Sequence, residues 1–503
     1  MVSSMCKIIL NSETDSSYKM AGIQDLPVEL LTSIFAFSYA DHREEKTSRW
    51  SYISSDDEDE EIKPQIREKP KIQTVWSDHD LYIPSLFPCA FARVCQLWLN
   101  IMARNSLYWT RFAFDLSAEE LLLYDAFLWS KDLPFDMLVF DSRISCATDP
   151  QRSDAPARER ARVESITTKL IPHLSRCKSL VFDVAYSSSL PMLPSLLSST
   201  MVELRLDYRT HPSDSTPRNP WPSLTATESS VNFTSLTYLS LDVETFMQMA
   251  RFYPQWSTNL VTEYRFGLDV CKYAFEDSEE SEDSQIYGTR EFFEALCEFR
   301  RMSRLTLSHL SLRNGAVQQP QRTRRIPTTL YLHRPDTFVA NNLSEDFLDA
   351  FFRECSLSAE SVTFDGCILP SNICTDSAWF LTLKNLPKTA RPERALVAWG
   401  GGELLVDSCP SFDDSVIRSF SDAIRPDNGF SRYFVLHSLH FEDCLNFSFE
   451  SIKELVQVLE QSAPDNDPNV LSSLSLSGQW PPLSQEDLRW FRSHVTFVHI
   501  PVN

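Results

Sequence analysis

The sequence predicts an α/β protein in which a short helical N-terminal segment precedes an open solenoid built on a parallel sheet. Three observations predict it. Short strands with a Leu-x-Leu or Leu-x-Phe kernel recur along the chain from Leu138 to Leu474. Helical stripes lie between many of them, and strand alternating with helix implies parallel pairing, because an antiparallel pair needs only a tight turn. Two further apolar stripes, around Leu30 and Trp98, come before the alternation begins.

Composition bounds the functional classes. Of the 503 residues, 43% are hydrophobic, with 33 Phe and 11 Trp, far too apolar for a chain that stays disordered. Forty-seven Lys and Arg stand against 69 Asp and Glu, a net charge of −22 that repels phosphate backbones and anionic lipid, so nucleic acid and membrane are not expected partners. Glycine is scarce, 10 of 503 against a usual share of about 7%. No G-x-G-x-x-G, G-x-x-x-x-G-K-[ST] or G-x-S-x-G is present, and Gly400-Gly401-Gly402 reads as a turn. The 12 cysteines form no C-x-x-C pair and read as reduced core residues. Ile8-Ile9-Leu10 is too short for a signal-peptide core, and no run of 18 apolar residues exists, so cytosol or nucleus is the expected compartment. Residues 1–20 are expected to be disordered.

The first element opens at Asp25-Leu26-Pro27-Val28-Glu29. Pro27 suits a first helical turn, where its missing N–H has no partner, and Asp25 and Glu29 place negative charge at the positive helix end. Leu30, Leu31, Ile34 and Phe35 then make an apolar stripe. A second stripe, Phe91, Val94, Cys95, Trp98, Ile101 and Met102, has helical spacing and predicts one amphipathic helix that stops near Asn105, before Leu107-Tyr108-Trp109. Between them, 19 of the 40 residues of 41–80 are charged, and the expectation is an extended, solvated insertion. Such a loop costs about 1 to 2 kcal/mol of closure entropy. Ser117-Ala118-Glu119-Glu120 reads as a capping box that opens a helix to Trp129.

Together the two stripes resemble the F-box: Leu-Pro-x-Glu-Leu-Leu-x-x-Ile-Phe, then Phe-Ala-Arg-Val-Cys-x-x-Trp and a closing Leu-x-Trp before a hydrophobic strand. The resemblance covers residues 24–37 and 84–112, and it departs from the family in the length of the insertion. It implies an F-box over 21–112 that docks on a Skp-family adaptor and, through it, on a cullin scaffold. Leu26 and Pro27 are then the residues that meet the adaptor and set how the chain enters the helix. Leu30, Leu31, Ile34 and Phe35 divide between adaptor and inner packing, and Val94, Cys95 and Trp98 complete the second helix, with Trp98 the expected anchor. The apolar surface itself favours an interface, since two short helices beside a polar insertion have little chain to cover them.

Residues 113–503 carry the repeats. Strands are expected to begin at Leu138, Leu180, Leu204, Leu239, Tyr264, Leu305, Leu330, Val362, Leu404, Leu439 and Leu474. Cys177, Leu236, Met302, Leu436 and Leu471 precede their kernels by three, giving the L-x-x-L-x-L face of a leucine-rich repeat. Spacings of 24 and 25 fall in the usual range, whereas 32, 35, 41 and 42 exceed it, and the ladder Asn is missing, so the solenoid is irregular. Ser451 with Glu454 reads as a second capping box. The whole is similar to fungal F-box proteins with an irregular leucine-rich-repeat C-terminal region.

That resemblance implies a non-catalytic substrate-recognition subunit of an SCF-type ubiquitin ligase, whose solenoid holds an unknown protein. Strand positions between the core leucines face the concave surface, making Arg205, Asp207, Tyr238, Asp242, Thr306, His440 and Glu442 the expected substrate contacts. The alternative is a repeat scaffold without ligase function, its N-terminal helices capping the first repeat. No cofactor, metal or catalytic residue is expected: His437 and His440 point to opposite faces of a strand, Asp78-His79-Asp80 lacks further ligands, and apolar neighbours make Cys95 inert. The acidic runs 54–61 and 276–283 read as solvated loops, with acid-directed kinase sites as the second reading.

Overall fold

The computed structural model describes residues 26–48, 76, 87–117, 124–142, 154–192, 196, 198–209, 235–252, 266–276, 287–299, 302–313, 329–332, 334–425, 436–462 and 471–500. The chain divides into two compact units. The first comprises Met1–Gln65, Ile83–Phe112 and Asp125–Leu133, and the second Ile66–Tyr82, Ala113–Tyr124 and Pro134–Asn503.

The described part of the first unit is helical: α1 (Val28–Ser48), α2 (Cys89–Ala92), α3 (Gln96–Ala103), a 3-10 turn (Ser106–Thr110) and α4 (Ala126–Trp129). Pro27 opens α1, its carbonyl accepting from the N–H of Leu30 at 3.0 Å and Leu31 at 3.2 Å. The helix continues to Ser48, past the expected start of the extended insertion, because Ala40 to Lys46 are mostly tolerant of or favourable to helix. The second stripe is two helices rather than one. Cys95 is extended (φ −164°, ψ 167°) and α2 closes on itself through the bond from Val94 N–H to the Phe91 carbonyl at 3.1 Å. Helical spacing survives the break because Phe91 and Trp98, on either side of it, pack on the same ring of Phe35. Asn105 stops the segment, its side chain accepting from the Leu107 N–H at 3.2 Å.

The second unit holds the strands β1 (Arg111–Asp115, beginning in the last residues of the first unit), β2 (Phe135–Phe140), β3 (Cys177–Val184), β4 (Glu203–Tyr208), β5 (Tyr238–Asp242), β6 (Phe266–Glu276), β7 (Met302–Arg313), β8 (Leu330–Tyr331), β9 (Thr337–Asn341), β10 (Cys355–Ser356), β11 (Ser361–Asp365), β12 (Phe380–Lys384), β13 (Glu403–Asp407), β14 (Ser438–Glu442), β15 (Ser473–Ser477) and β16 (Phe497–His499). Its helices are α5 (Ala155–Leu170), α6 (Val243–Phe252), α7 (Thr289–Cys297), α8 (Glu345–Glu354), α9 (Glu393–Ala398), α10 (Asp414–Ile424), α11 (Phe449–Ser462) and α12 (Gln485–His494). The fold is mixed α/β. Among the described residues, fourteen strands form one sheet in chain order, β8 and β10 standing aside as a pair of their own. From β2 onward the pairings are parallel.

Register aligns the kernels. Met137, Leu180, Leu204, Leu239, Leu268, Leu305, Phe338, Val362, Leu381, Leu404, Leu439, Leu474 and Val498 stand opposite one another along the sheet. Every member but Val498 is buried. The long spacings of 32 and 42 thus conceal strands β9 and β12, and the kernel at Leu330 belongs to the small pair, not to the main sheet. Tyr264 lies outside the described residues, and its strand is seen from Phe266.

Where no ladder Asn stands, three strands are followed by a cysteine. Five positions after the register column, the thiols of Cys367, Cys409 and Cys444 donate to carbonyls of the preceding strand: Ala340 at 3.4 Å, Leu383 at 3.3 Å and Val406 at 3.6 Å. Burial pushes Cys367 and Cys409 up to about 12 and raises Cys444 as well, so these thiols stay protonated and able to donate. The residue just after each strand is left-handed at Asn342, Gly366, Asn385, Ser408, Asp443 and Gly478. From Asn342 to Asp443 the N–H of these residues donates to the last carbonyl of the following strand, at 2.7 to 3.1 Å. At Gly366 and Gly478 a side chain is excluded twice over, by φ of 64° and 68° and by Asn342 and Asp443 oxygens 2.2 Å from any Cβ.

One cap differs from expectation. Ser451 and Glu454 form no box: Ser448 Oγ accepts from the Ser451 N–H at 3.3 Å, the Ser451 hydroxyl donates to Asp414 of α10 at 2.7 Å, and Glu454 pairs with Arg425 at 3.1 Å. The Ser117 box lies mostly outside the described residues. A box does form at α12, where Ser484 accepts from the Asp487 N–H and Asp487 accepts from the Ser484 N–H. Lys453, bonded at 2.6 Å, and Ser484 hold the Asp487 carboxyl down at about 2. Its folded value is below the ordinary 3.8, so its stabilisation is complete above pH 4 and disappears as the pH falls through about 2. Asp487→Asn is expected to cost about 1 kcal/mol at pH 7. In thermal melts by circular dichroism, the gap between variant and parent should close between pH 4 and pH 2; a gap independent of pH contradicts the assignment.

Candidate functional sites

The first candidate is the outward face of the helical unit. Phe35, Tyr39, Phe87, Phe91, Trp98 and Tyr108 form its inner cluster, with Phe35 and Trp98 edge-on at 5.0 Å and Phe91 stacked on Trp98 at 6.0 Å. Trp109 is also buried, its indole N–H donating to the Met102 carbonyl at 3.0 Å. The residues expected at the interface therefore separate. Leu31 and Phe35 are buried, and Trp98, at 5% exposure, packs between Phe35 and Phe91 in the interior. Leu30 is 52% exposed and Val94 51%, Ile34 and Pro27 are also exposed, and Leu26 and Cys95 are half-buried. The sequence reading missed Phe37, 75% exposed, which lies seven residues after Leu30 and so on the same helix face as Leu30 and Ile34. Leu97 and Leu107 of the same unit are exposed too.

The second candidate is the sheet face opposite the register column. Arg205, Thr306 and His440 stand one position after the column, Asp207, Asp242 and Glu442 three after it, and Tyr238 one before. Alternation puts all seven on one face. Their surroundings differ. Tyr238 is buried with its hydroxyl donating to Asp269, and Thr306 is buried, its oxygen accepting from Arg304 Nε at 3.3 Å. Asp207 pairs with Lys272. Asp242 is buried as a helix cap: its carboxylate accepts from the Thr245 N–H at 3.0 Å and from the Thr245 hydroxyl at 2.6 Å. On the later strands the face is open. Glu442 is half-buried, and so is His440, whose ring meets Ser477 Oγ at 3.3 Å and whose basicity is lowered by burial.

That contrast runs along the whole sheet. Buried and half-buried residues alternate on β9, β11, β12, β14 and β15, and on β13 up to its buried last residue Asp407, whereas β5 is buried throughout and β2 and β3 nearly so. Trp76 belongs to the same unit as these strands. It comes from the insertion expected to be solvated, yet it is 1% exposed within the second unit, and Arg205 Nη1 donates to its carbonyl at 3.4 Å.

Among the described residues no three metal-ligating side chains converge, and no helix is long and apolar enough to cross a membrane. Asp78, His79 and Asp80, as well as both acidic runs apart from Glu276, lie outside the described residues. A scan against protein-family models finds no match for this chain, and a search of the curated proteins finds none either.

Proposed function

We propose that the chain is the substrate receptor of an SCF-type ubiquitin ligase, its helical unit an F-box that binds a Skp-family adaptor and its sheet a leucine-rich-repeat-like solenoid that binds the protein to be modified. The observation that carries the reading is the division of the helical unit's apolar residues. Leu31, Phe35 and Trp98 lie in its interior, and Leu30, Ile34 and Phe37 are exposed on α1. Exposed apolar side chains in line on a helix mark a protein interface, each worth roughly 1.5 to 3 kcal/mol when covered. The cysteine ladder supports the solenoid, since Cys is an accepted ladder residue in leucine-rich repeats. A receptor of this kind performs no bond chemistry. It raises the effective concentration of a substrate near a ligase by holding both at once.

The test is co-expression with a Skp-family adaptor. The parent chain should co-purify, and Leu30→Asp with Phe37→Asp should abolish co-purification while circular dichroism stays unchanged, because both side chains already meet water. Co-purification of both proteins, or of neither, sinks the adaptor role and leaves a repeat scaffold without ligase function.

A further inference from the structure

The open half of the sheet carries an aromatic site at the starts of β12, β13 and β14. Phe380, Glu403 and Ser438 stand opposite one another as the first residues of these strands. Trp379, Gly402 and His437 line up just before them, the Gly402 N–H donating to the Trp379 carbonyl at 3.0 Å and the His437 N–H to the Gly402 carbonyl at 2.7 Å. The indole of Trp379 passes directly over Gly402. A Cβ there would come within 2.4 Å of Cζ2 and 2.6 Å of Cε2, and one at Gly401 would meet the Ala378 carbonyl at 2.2 Å. Only backbone without side chains lets the ring approach so closely. In a chain with 10 glycines among 503 residues, two stand at this one contact.

Trp379 is seated on glycine yet remains 41% exposed. Its ring reaches the imidazole of His437, with centroids 5.6 Å apart, and its indole N–H donates to the carboxylate of Glu403, which is half-buried. One such bond occupies one of about four lone-pair sites of a carboxylate, so Glu403 keeps acceptor capacity beside the ring. Burial raises its carboxyl above the ordinary range, because the charged form has lost water there. A cation against it would replace that water. An uncharged or apolar group on the same ring would remove still more water from the carboxylate and supply nothing in return. Among cations, a guanidinium is planar and weakly hydrated, stacks on an indole and forks onto a carboxylate, whereas an ammonium is compact and strongly hydrated.

We infer that Trp379 and Glu403 form a guanidinium site, and that a protein bound at the open face of the sheet seats an arginine side chain there, stacked on the indole and paired with the carboxylate. Glu403 stands one position before the register column and so on the same face as His440 and Glu442. The net charge of −22 favours the approach of a basic partner. The inference deepens the proposed function and rests on it only for the assignment of this face to partner binding. Its test uses no adaptor, so its failure leaves the ligase reading standing.

The full chain is labelled with 5-fluorotryptophan and followed by fluorine NMR, the Trp379 resonance being the one that Trp379→Phe removes. The probe is N-acetyl-arginine methylamide, which should shift that resonance saturably and leave those of the other tryptophans in place. The citrulline analogue, of nearly the same shape but uncharged, should bind at least about tenfold more weakly, and the lysine analogue about threefold more weakly. Glu403→Gln should weaken binding of the arginine probe about tenfold while circular dichroism stays unchanged. Should that variant fail to fold, the comparison of arginine with citrulline on the parent chain decides. The inference is overturned by the absence of a saturable shift at Trp379, by equal binding of the arginine probe and either analogue, or by unchanged binding to a folded Glu403→Gln chain.

Discussion

Trp98→Ala is expected to cost about 3 to 5 kcal/mol and to melt the helical unit locally. The indole is the element that Phe35 of α1 and Phe91 of α2 share, at 5.0 and 6.0 Å. The helices α2 and α3 are four and eight residues long, and such helices have little stability of their own without tertiary packing. Hydrogen exchange read by mass spectrometry should show protection lost over residues 28–40 and 89–109 and retained over the sheet. Leu30→Asp should leave the same peptides protected, since that side chain is outside. Unchanged protection in Trp98→Ala would mean that the cluster is not what joins these helices. The pair of variants separates folding from the proposed adaptor binding: on that proposal both should fail to bind the adaptor, and only one should lose the fold.

The second large effect is at Phe351 of α8, where removal of the ring is expected to cost about 3 to 5 kcal/mol. Phe351 is fully buried, stacked on Phe338 of β9 at 5.4 Å and edge-on to Phe293 of α7 at 5.6 Å. It thus joins its own strand–helix unit to the one before. In a sheet where each strand pairs only with its neighbours, a defect weakens the adjacent units first. Phe351→Ala should therefore speed exchange in β7, β9 and α7 while β14 and β15 change little. Asp346→Ala, on the exposed side of the same helix, should shift stability by less than about 0.5 kcal/mol. A uniform loss of protection across all strands would show that the sheet unfolds as one cooperative block.

Much of the repeat region was legible because its signals are local. Leu-x-Leu kernels and helical stripes are periodicities a chain carries whatever it packs against. The strands that escaped notice explain themselves. Between β11 and β12 the connection holds no helix, so alternation gives no cue there, and in β9 the kernel is Phe338-x-Ala340, with no leucine in it. The cysteine ladder was overlooked because the weak thiol donor was not sought where an amide is usual, although its spacing after Val362, Leu404 and Leu439 is regular.

By itself the sequence determined an α/β chain with parallel strands, a helical N-terminal segment rich in apolar side chains, and a strongly acidic charge, since each follows from residue type and spacing alone. Only the tertiary structure decided which apolar residues are core and which are surface: Trp98 went inside and Phe37 outside, though both belong to stripes of similar composition. It also decided that the helical spacing from Phe91 to Met102 is interrupted at Cys95, and that Trp76 of a charged insertion is buried against the sheet. The reason is the same in each case. Periodicity states which residues share a face, but burial depends on what lies opposite, and that is supplied by chain remote in sequence.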